Sequence, residues 1–142
     1  MEPNNPVVKL CAEGMRAEAE DRSNDARALF AQAWTASKDD YEACMAAHFV
    51  ARHQESPQDT FHWNQEALNR ANAVGDERVR GFYPSLYLNM GYSYEALGNQ
   101  TEARRYYELA AEKIDDLPAG PYREVVRNGV VEGRKRISSM KA

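Results

Sequence analysis

The sequence predicts an all-α fold, and three observations lead to this prediction. Small and aromatic residues recur at helical spacing between Leu86 and Pro118. Part of that pattern is found again earlier in the chain, between Gly14 and Ala33. No alternating run of β-branched residues reaches five positions, so the signal for a strand is missing. With 142 residues, of which 43% are hydrophobic and 28% charged, the chain is long enough to bury a core, and we expect one domain over residues 1–142.

The clearest unit covers residues 84–118 and predicts two antiparallel helices joined by a tight turn at Leu97-Gly98-Asn99. Gly91 and Ala103 fall where the two helices would come closest, so only small side chains should fit there. The other positions of the pattern are Tyr87, Met90, Tyr94, Tyr107, Ala110 and Pro118.

A second copy of this unit covers residues 7–40 and is found by the shift that carries Gly91 onto Gly14, here called the glycine shift. Four of the five matched pairs are identical, which helical composition alone does not explain. The matches are Gly91 on Gly14, Ala103 on Ala26, Arg104 on Arg27, Tyr107 on Phe30 and Ala110 on Ala33. The glycine shift corresponds to one repeat of about 34 residues plus a longer one, so the unit between them, residues 41–83, should be extended.

Capping residues mark the helices of this middle unit. Its first helix should run from 41 to 52, with Asp39 or Asp40 as the N-cap. Ser56 can cap the second helix, and Pro57 suits the first helical position. In that second helix, Ala67 takes the place of Ala26.

Two further helices complete the prediction. Pro84 either starts the fifth helix or kinks a longer helix that begins near Glu77, and we expect the long, kinked helix. A seventh helix is predicted over about residues 121–138, where Gly129 and Gly133 would allow close approach to the preceding pair. Its charged faces suit a helix that caps the end of a stack.

The units resemble the tetratricopeptide repeat, which pairs two helices in about 34 residues. Tyr87 stands in place of the usual Trp, and His48 stands where the other units have Gly14 and Gly91. The resemblance implies a right-handed α-solenoid of three helical hairpins plus a C-terminal capping helix, about seven helices in all. It also implies protein–protein interaction through a concave groove lined by the first helix of each pair.

Equivalent positions on the three first helices would form rows along that groove. Met15, Phe49 and Tyr92 form an apolar row that suits the docking of a helix or an extended peptide. Alternatively, this row belongs to the core and is covered by the seventh helix. By the same resemblance, Asn89 would bond a ligand backbone, although a local or solvated role is equally compatible. The predicted partner-binding residues are Met15, Met45, Phe49, Arg52, His53, Leu88, Asn89, Tyr92 and Glu95.

The sequence predicts no enzyme. Cys44 and His48 share a helix face, but the paired ligand spacings of zinc sites are missing, and helix-buried thiols are usually inert. Neighbouring acidic residues fall at turns or on solvent faces, and the glycines form no phosphate-binding loop. We therefore expect no catalytic residue, no metal and no cofactor, and we expect Cys11 to be a buried free thiol like Cys44.

Charge and hydropathy limit the classes of partner that the sequence predicts. The net charge of −4 gives no general attraction to nucleic acid or to an anionic membrane. No stretch approaches the ~20 apolar residues of a membrane span, and the N-terminal residues lack the layout of a signal peptide. The expected location is the cytoplasm, and the expected partner is a protein or peptide.

The sequence is compatible with two alternatives. The chain could be a self-associating scaffold whose edge helices pack across a two-fold axis as a homodimer. It could also bind RNA or an acidic partner through basic residues near its C-terminus, which could equally form a solvated cap with Glu124 and Glu132. The basic residues of the predicted seventh helix are Arg123, Arg127, Arg134, Lys135 and Arg136, and Arg78 and Arg80 of the predicted fifth helix could extend the patch.

Overall fold

The computed structural model describes residues 4–139, and within this range it contains seven α-helices and no strand. This confirms the predicted all-α class. The α-helices are α1 (Pro6–Ala19), α2 (Ser23–Ala36), α3 (Asp40–Val50), α4 (Pro57–Val74), α5 (Tyr83–Ala96), α6 (Gln100–Lys113) and α7 (Pro121–Ser139). Short 3-10 helices cover Ala51–His53, Glu77–Phe82 and Ile114–Asp116. The chain forms two compact units, one ending at Val74 and the other beginning at Gly75.

Side-chain caps begin several helices where the sequence predicts them. The carboxylate of Asp39 accepts a hydrogen bond of 2.8 Å from the backbone N–H of Glu42 at the start of α3. The hydroxyl of Ser56 accepts one of 3.1 Å from Asp59 N–H at the start of α4. These bonds satisfy backbone donors that the first helical turn leaves without a partner. Asp39 and Ser56 are therefore confirmed as caps.

The prediction of a long, kinked fifth helix is wrong. Glu77–Phe82 form a 3-10 helix, and α5 begins at Tyr83 with Pro84 in its first turn. A proline in the first turn removes no hydrogen bond from the helix, because the first N–H groups of a helix have no partner within it. A continuous α-helix from Glu77 would instead push the proline ring against the carbonyl of Arg80.

In the first unit, α1 packs on α2 through a contact of Gly14 with Phe30. A methyl group at Gly14 would lie 2.3 Å from Cε1 of Phe30, so only glycine lets the ring lie this close. Phe30 is fully buried, and Phe49 of α3 stacks on it with 4.9 Å between ring centroids. The ring of Phe30 thus joins three helices.

In the second unit, Gly91 of α5 makes the same contact with Tyr107 of α6. A methyl group at Gly91 would lie 2.6 Å from Cε1 of Tyr107, which confirms that only a small residue fits there. Gly133 of α7 lies against the same ring, where a methyl group would be 2.5 Å from its Cζ. Tyr107 is fully buried, so its ring is enclosed by two glycines on different helices.

In the helix pair α3–α4 the large residue is on the first helix and the small one on the second, the reverse of the other two pairs. His48 stands where the other pairs have glycine, and Ala71 of α4 stands where they have Phe30 and Tyr107. Ala71 is fully buried. A large residue on the first helix therefore accompanies a small one on the second, which keeps the summed volume similar.

Because His48 is partly buried in this helix pair, its protonation should control part of the pH dependence of stability. Removal of its imidazole from water, together with the charge of Arg52, lowers the pKa of His48 from 6.5 to about 4. Between these values the unfolded chain binds a proton that the folded chain does not bind, so stability falls as the pH falls. We expect a loss of up to about 2 kcal/mol from about pH 7 to about pH 5 in urea unfolding.

The substitution His48→Gln should reduce this pH dependence, because glutamine does not titrate. The matched control is His62→Gln on the exposed side of α4, which makes the same substitution outside the contact of α3 with α4 and leaves His48 in place. Equal slopes in the wild type and in His48→Gln would contradict the assignment to His48.

Candidate functional site

In the first unit, the predicted apolar residues differ in exposure. Met15 follows Gly14 on α1 and is 43% exposed. Phe49 is partly buried in its stack on Phe30, and Met45 packs beside the cluster that contains Cys11. Met15 is therefore accessible, whereas Phe49 and Met45 also stabilise the packing of α3 on the α1–α2 pair.

The carboxylate of Glu18 brings Arg52 and His53 together. Nη2 of Arg52 forms an ion pair with Glu18 Oε1 at 3.0 Å, and Nε2 of His53 lies 2.6 Å from Glu18 Oε2. The ring of His53 stacks on Phe30 at 5.7 Å, and the guanidinium of Arg52 lies 5.3 Å from the centroid of Phe49. Sequence reasoning left Glu18 out of the site residues, although the glycine shift pairs it with the predicted Glu95.

In the second unit, Leu88 and Tyr92 lie beside α7. Leu88 is only 6% exposed and belongs to the core that includes Val126 and Val130. A methyl group at Gly129 of α7 would lie 2.5 Å from the hydroxyl oxygen of Tyr92. Tyr92 is nevertheless 41% exposed, so α7 covers Leu88 and leaves part of Tyr92 accessible. Asn89, which lies between Leu88 and Tyr92 in sequence, is partly buried.

Glu95 is held by two partners within the second unit. It accepts hydrogen bonds from Nε of Arg136 at 2.8 Å and from the hydroxyl of Tyr107 at 2.5 Å. The hydrogen bond from Arg136, and then that from Tyr107, lower the pKa of Glu95 against the opposing effect of burial. Glu95 is therefore ionised at neutral pH and fastens α7 to α5.

The position of α7 on α5–α6 repeats that of α3 on α1–α2. Arg136 pairs with Glu95 as Arg52 pairs with Glu18. Gly133 lies on Tyr107 as Phe49 lies on Phe30. One shift along the sequence, here called the α3–α7 shift, carries both Phe49 onto Gly133 and Arg52 onto Arg136. Within the second unit, α7 therefore packs on α5–α6 as the first helix of a following helix pair would pack.

The seven basic residues predicted as a possible patch are paired with carboxylates, five of them on α7 and two on the 3-10 helix Glu77–Phe82. These pairs neutralise much of the positive charge that an RNA-binding surface would need, and they match the alternative of a solvated cap. The pairs are Arg78–Asp76, Arg80–Asp116, Arg123–Asp115, Arg127–Glu124, Arg134–Glu108, Lys135–Glu132 and Arg136–Glu95.

The two buried thiols are neutral at physiological pH. Burial raises the pKa of Cys11 to about 11 and that of Cys44 to about 12, so neither is a thiolate nucleophile. Both cysteines are free thiols. Within residues 4–139, no group of three or more His, Cys, Asp or Glu side chains could hold a metal ion. Over the same range, no helix has the length and apolar character needed to span a membrane.

No protein-family model, curated protein or solved structure matches this chain. The similarity to tetratricopeptide repeats therefore rests on its own residues and spacings.

Proposed function

We propose that this chain is a non-catalytic protein–protein interaction module of the tetratricopeptide type. In this proposal its helix pairs form a right-handed α-solenoid, and a groove lined by the first helix of each pair binds a helix or peptide of another protein in the cytoplasm. The observation that carries the proposal is the exposure of Met15 and Tyr92, at equivalent positions of two helix pairs.

Met15 and Tyr92 each follow a glycine that packs against a buried ring. A single exposed apolar side chain is common on protein surfaces and carries little information. Here a large apolar side chain is 43% exposed at one position and 41% exposed at the equivalent position of another helix pair. Methionine adapts its shape to a partner, and tyrosine offers a rigid ring with a polar end, so both residue types suit recognition.

Fixed polar groups at the ends of α1 and α5 support the same proposal. Glu18 holds Arg52 and His53, and Glu95 is held by Arg136. Because these side chains are ordered by their ion pairs, they lose little freedom when a partner binds. Asn89 would add an amide that can both donate to and accept from a peptide backbone.

The double substitution Met15→Ala/Tyr92→Ala should weaken partner binding about tenfold to a hundredfold, because two apolar anchors are truncated. Capture from an extract of cells that express the protein identifies the partner, and titration of the purified partner measures its affinity. Phe49→Ala is less suitable, because Phe49 stacks on Phe30 in the core.

The matched control is Val125→Ala/Leu97→Ala, which truncates two exposed apolar side chains outside the predicted surface. This control should bind the partner as the wild type does. Melting temperatures of all three proteins show whether a loss of binding reflects unfolding. Equal affinities of the two double variants for the partner would overturn the proposal, as would failure of the wild type to retain any protein.

A further inference from the structure

One side of α7 is buried and the opposite side is open. Val126, Val130, Gly133 and Ile137 follow one another at helical spacing and form the buried side. The opposite side, here called the α7 open face, consists of Glu124, Arg127, Asn128, Val131, Glu132 and Lys135. Its charged side chains are between 43% and 68% exposed, and Val131 is 40% exposed.

The α7 open face corresponds to a face that is covered elsewhere in the chain. On α3, the residues Ala43, Cys44 and Ala47 are buried, and α3 packs extensively on α4. The α3–α7 shift carries these three positions onto Arg127, Asn128 and Val131. Within residues 4–139, no helix covers α7 in the way that α4 covers α3. The α7 open face is thus a helix-packing surface that carries charges in place of small residues.

The order of charges on this face is complementary to itself. Along the helix the charged residues are Glu124, Arg127, Glu132 and Lys135, so the signs alternate from negative to positive. Reading the face in the reverse direction changes the sign at every position. Two antiparallel copies therefore place opposite charges together, whereas two parallel copies in register place like charges together.

We propose that the α7 open face binds the same face of a second copy of this chain, with the two α7 helices antiparallel across a two-fold axis. Glu124 then faces Lys135 of the second copy, and Arg127 faces Glu132 of the second copy. At the centre, Asn128 lies beside Val131 of the second copy. Such an isologous contact is closed, so it produces a dimer and does not extend into a larger assembly.

Contacts within each α7 helix prepare the face for this pairing. Arg127 Nη1 donates to Glu124 Oε1 at 2.9 Å, and Lys135 Nζ lies 3.5 Å from Glu132 Oε1. These pairs hold the charged ends on one face before association, so less side-chain freedom is lost when the copies meet. Because the charges stay near solvent and the apolar centre is small, the dimer should be weak and sensitive to salt.

Sedimentation equilibrium of the full chain tests the proposal over about 10 µM to about 1 mM protein. We expect a monomer–dimer equilibrium whose dissociation constant rises about tenfold from about 0.05 M to about 0.5 M NaCl. Lys135→Glu places a negative charge opposite Glu124 of the second copy and should weaken the dimer about tenfold or more. A chain that stays monomeric at low salt would overturn the proposal.

A fourfold charge reversal is the matched control. Glu124→Lys/Arg127→Glu/Glu132→Lys/Lys135→Glu preserves every pair within the helix and between the copies, so this variant should dimerise like the wild type. A mixture of wild type and the reversed variant should form no mixed dimer, because like charges then face each other. The α7 interface would be refuted if mixed dimers formed in the proportion expected from random pairing. It would also be refuted if Lys135→Glu left the dissociation constant of the dimer unchanged. This surface is separate from the proposed groove residues, so partner binding by Met15 and Tyr92 can hold or fail independently.

Discussion

Replacing Tyr107 by alanine should lower the free energy of unfolding by about 3–5 kcal/mol. The ring is fully buried between Gly91 of α5 and Gly133 of α7, so its removal leaves a cavity at the meeting point of three helices. Glycines on both sides have no side chains that could move into the space. Chemical unfolding followed by far-ultraviolet circular dichroism measures the loss.

Tyr107→Phe separates the contribution of the ring from that of the hydroxyl. Phe30 occupies the equivalent position in the first unit, where a ring without a hydroxyl packs against Gly14. The variant loses the hydrogen bond to Glu95 and the longer one from Arg136, but Glu95 and Arg136 still pair with each other, so we expect a loss of about 1 kcal/mol. If the phenylalanine and alanine variants were equally unstable, the hydrogen bond and not the packed ring would be the main contribution.

Gly14→Ala should destabilise the protein by about 2–3 kcal/mol, although alanine is the better helix former. The added methyl group would lie 2.3 Å from Cε1 of Phe30 and 2.7 Å from its Cδ1. These are atoms of a rigid, buried ring, so the two helices must move apart. Thermal and urea unfolding should both report the loss.

Gly81→Ala is the matched control, because no atom lies within 4 Å of a methyl group added at Gly81. We expect this variant to change stability by less than about 1 kcal/mol. The double variant Gly14→Ala/Phe30→Leu should recover part of the loss, since the smaller side chain makes room for the methyl group. If Gly14→Ala were as stable as Gly81→Ala, the packing of α1 on the ring of Phe30 would have room for a methyl group, and the close contact would be refuted.

Much of the helical structure could be predicted from short-range patterns. Asp39 and Ser56 cap their helices through bonds to residues three positions later, and such bonds depend little on the rest of the chain. The glycine shift located Gly14 and Gly91, because each must face an aromatic residue one helix away. Pro84 was not predictable in this way, because a proline is compatible with both a kinked helix and a helix start. In the structure Glu77–Phe82 form a 3-10 helix and Pro84 lies in the first turn of α5.

For the candidate site, the sequence predicts which helix face carries each residue, but not which of these residues are exposed. Periodicity places Leu88 and Tyr92 on one side of α5, but it does not say that α7 buries the first and leaves the second partly open. Likewise, the alignment of the units places Glu18 and Arg52 in one row of the groove, but it does not say that the two side chains form an ion pair. Surfaces built from distant segments escape single-sequence reasoning for this reason.

By itself, the sequence determined most of the helices, the caps Asp39 and Ser56 and the glycines that allow close packing, because these depend on neighbours within one or two turns. The tertiary structure alone decided which side chains are covered. Glu95 is fixed by Arg136 from a distant helix, and Tyr107 is enclosed by glycines from two other helices. Burial and ion pairing arise where separate helices meet, so they follow from packing and not from local order in the chain.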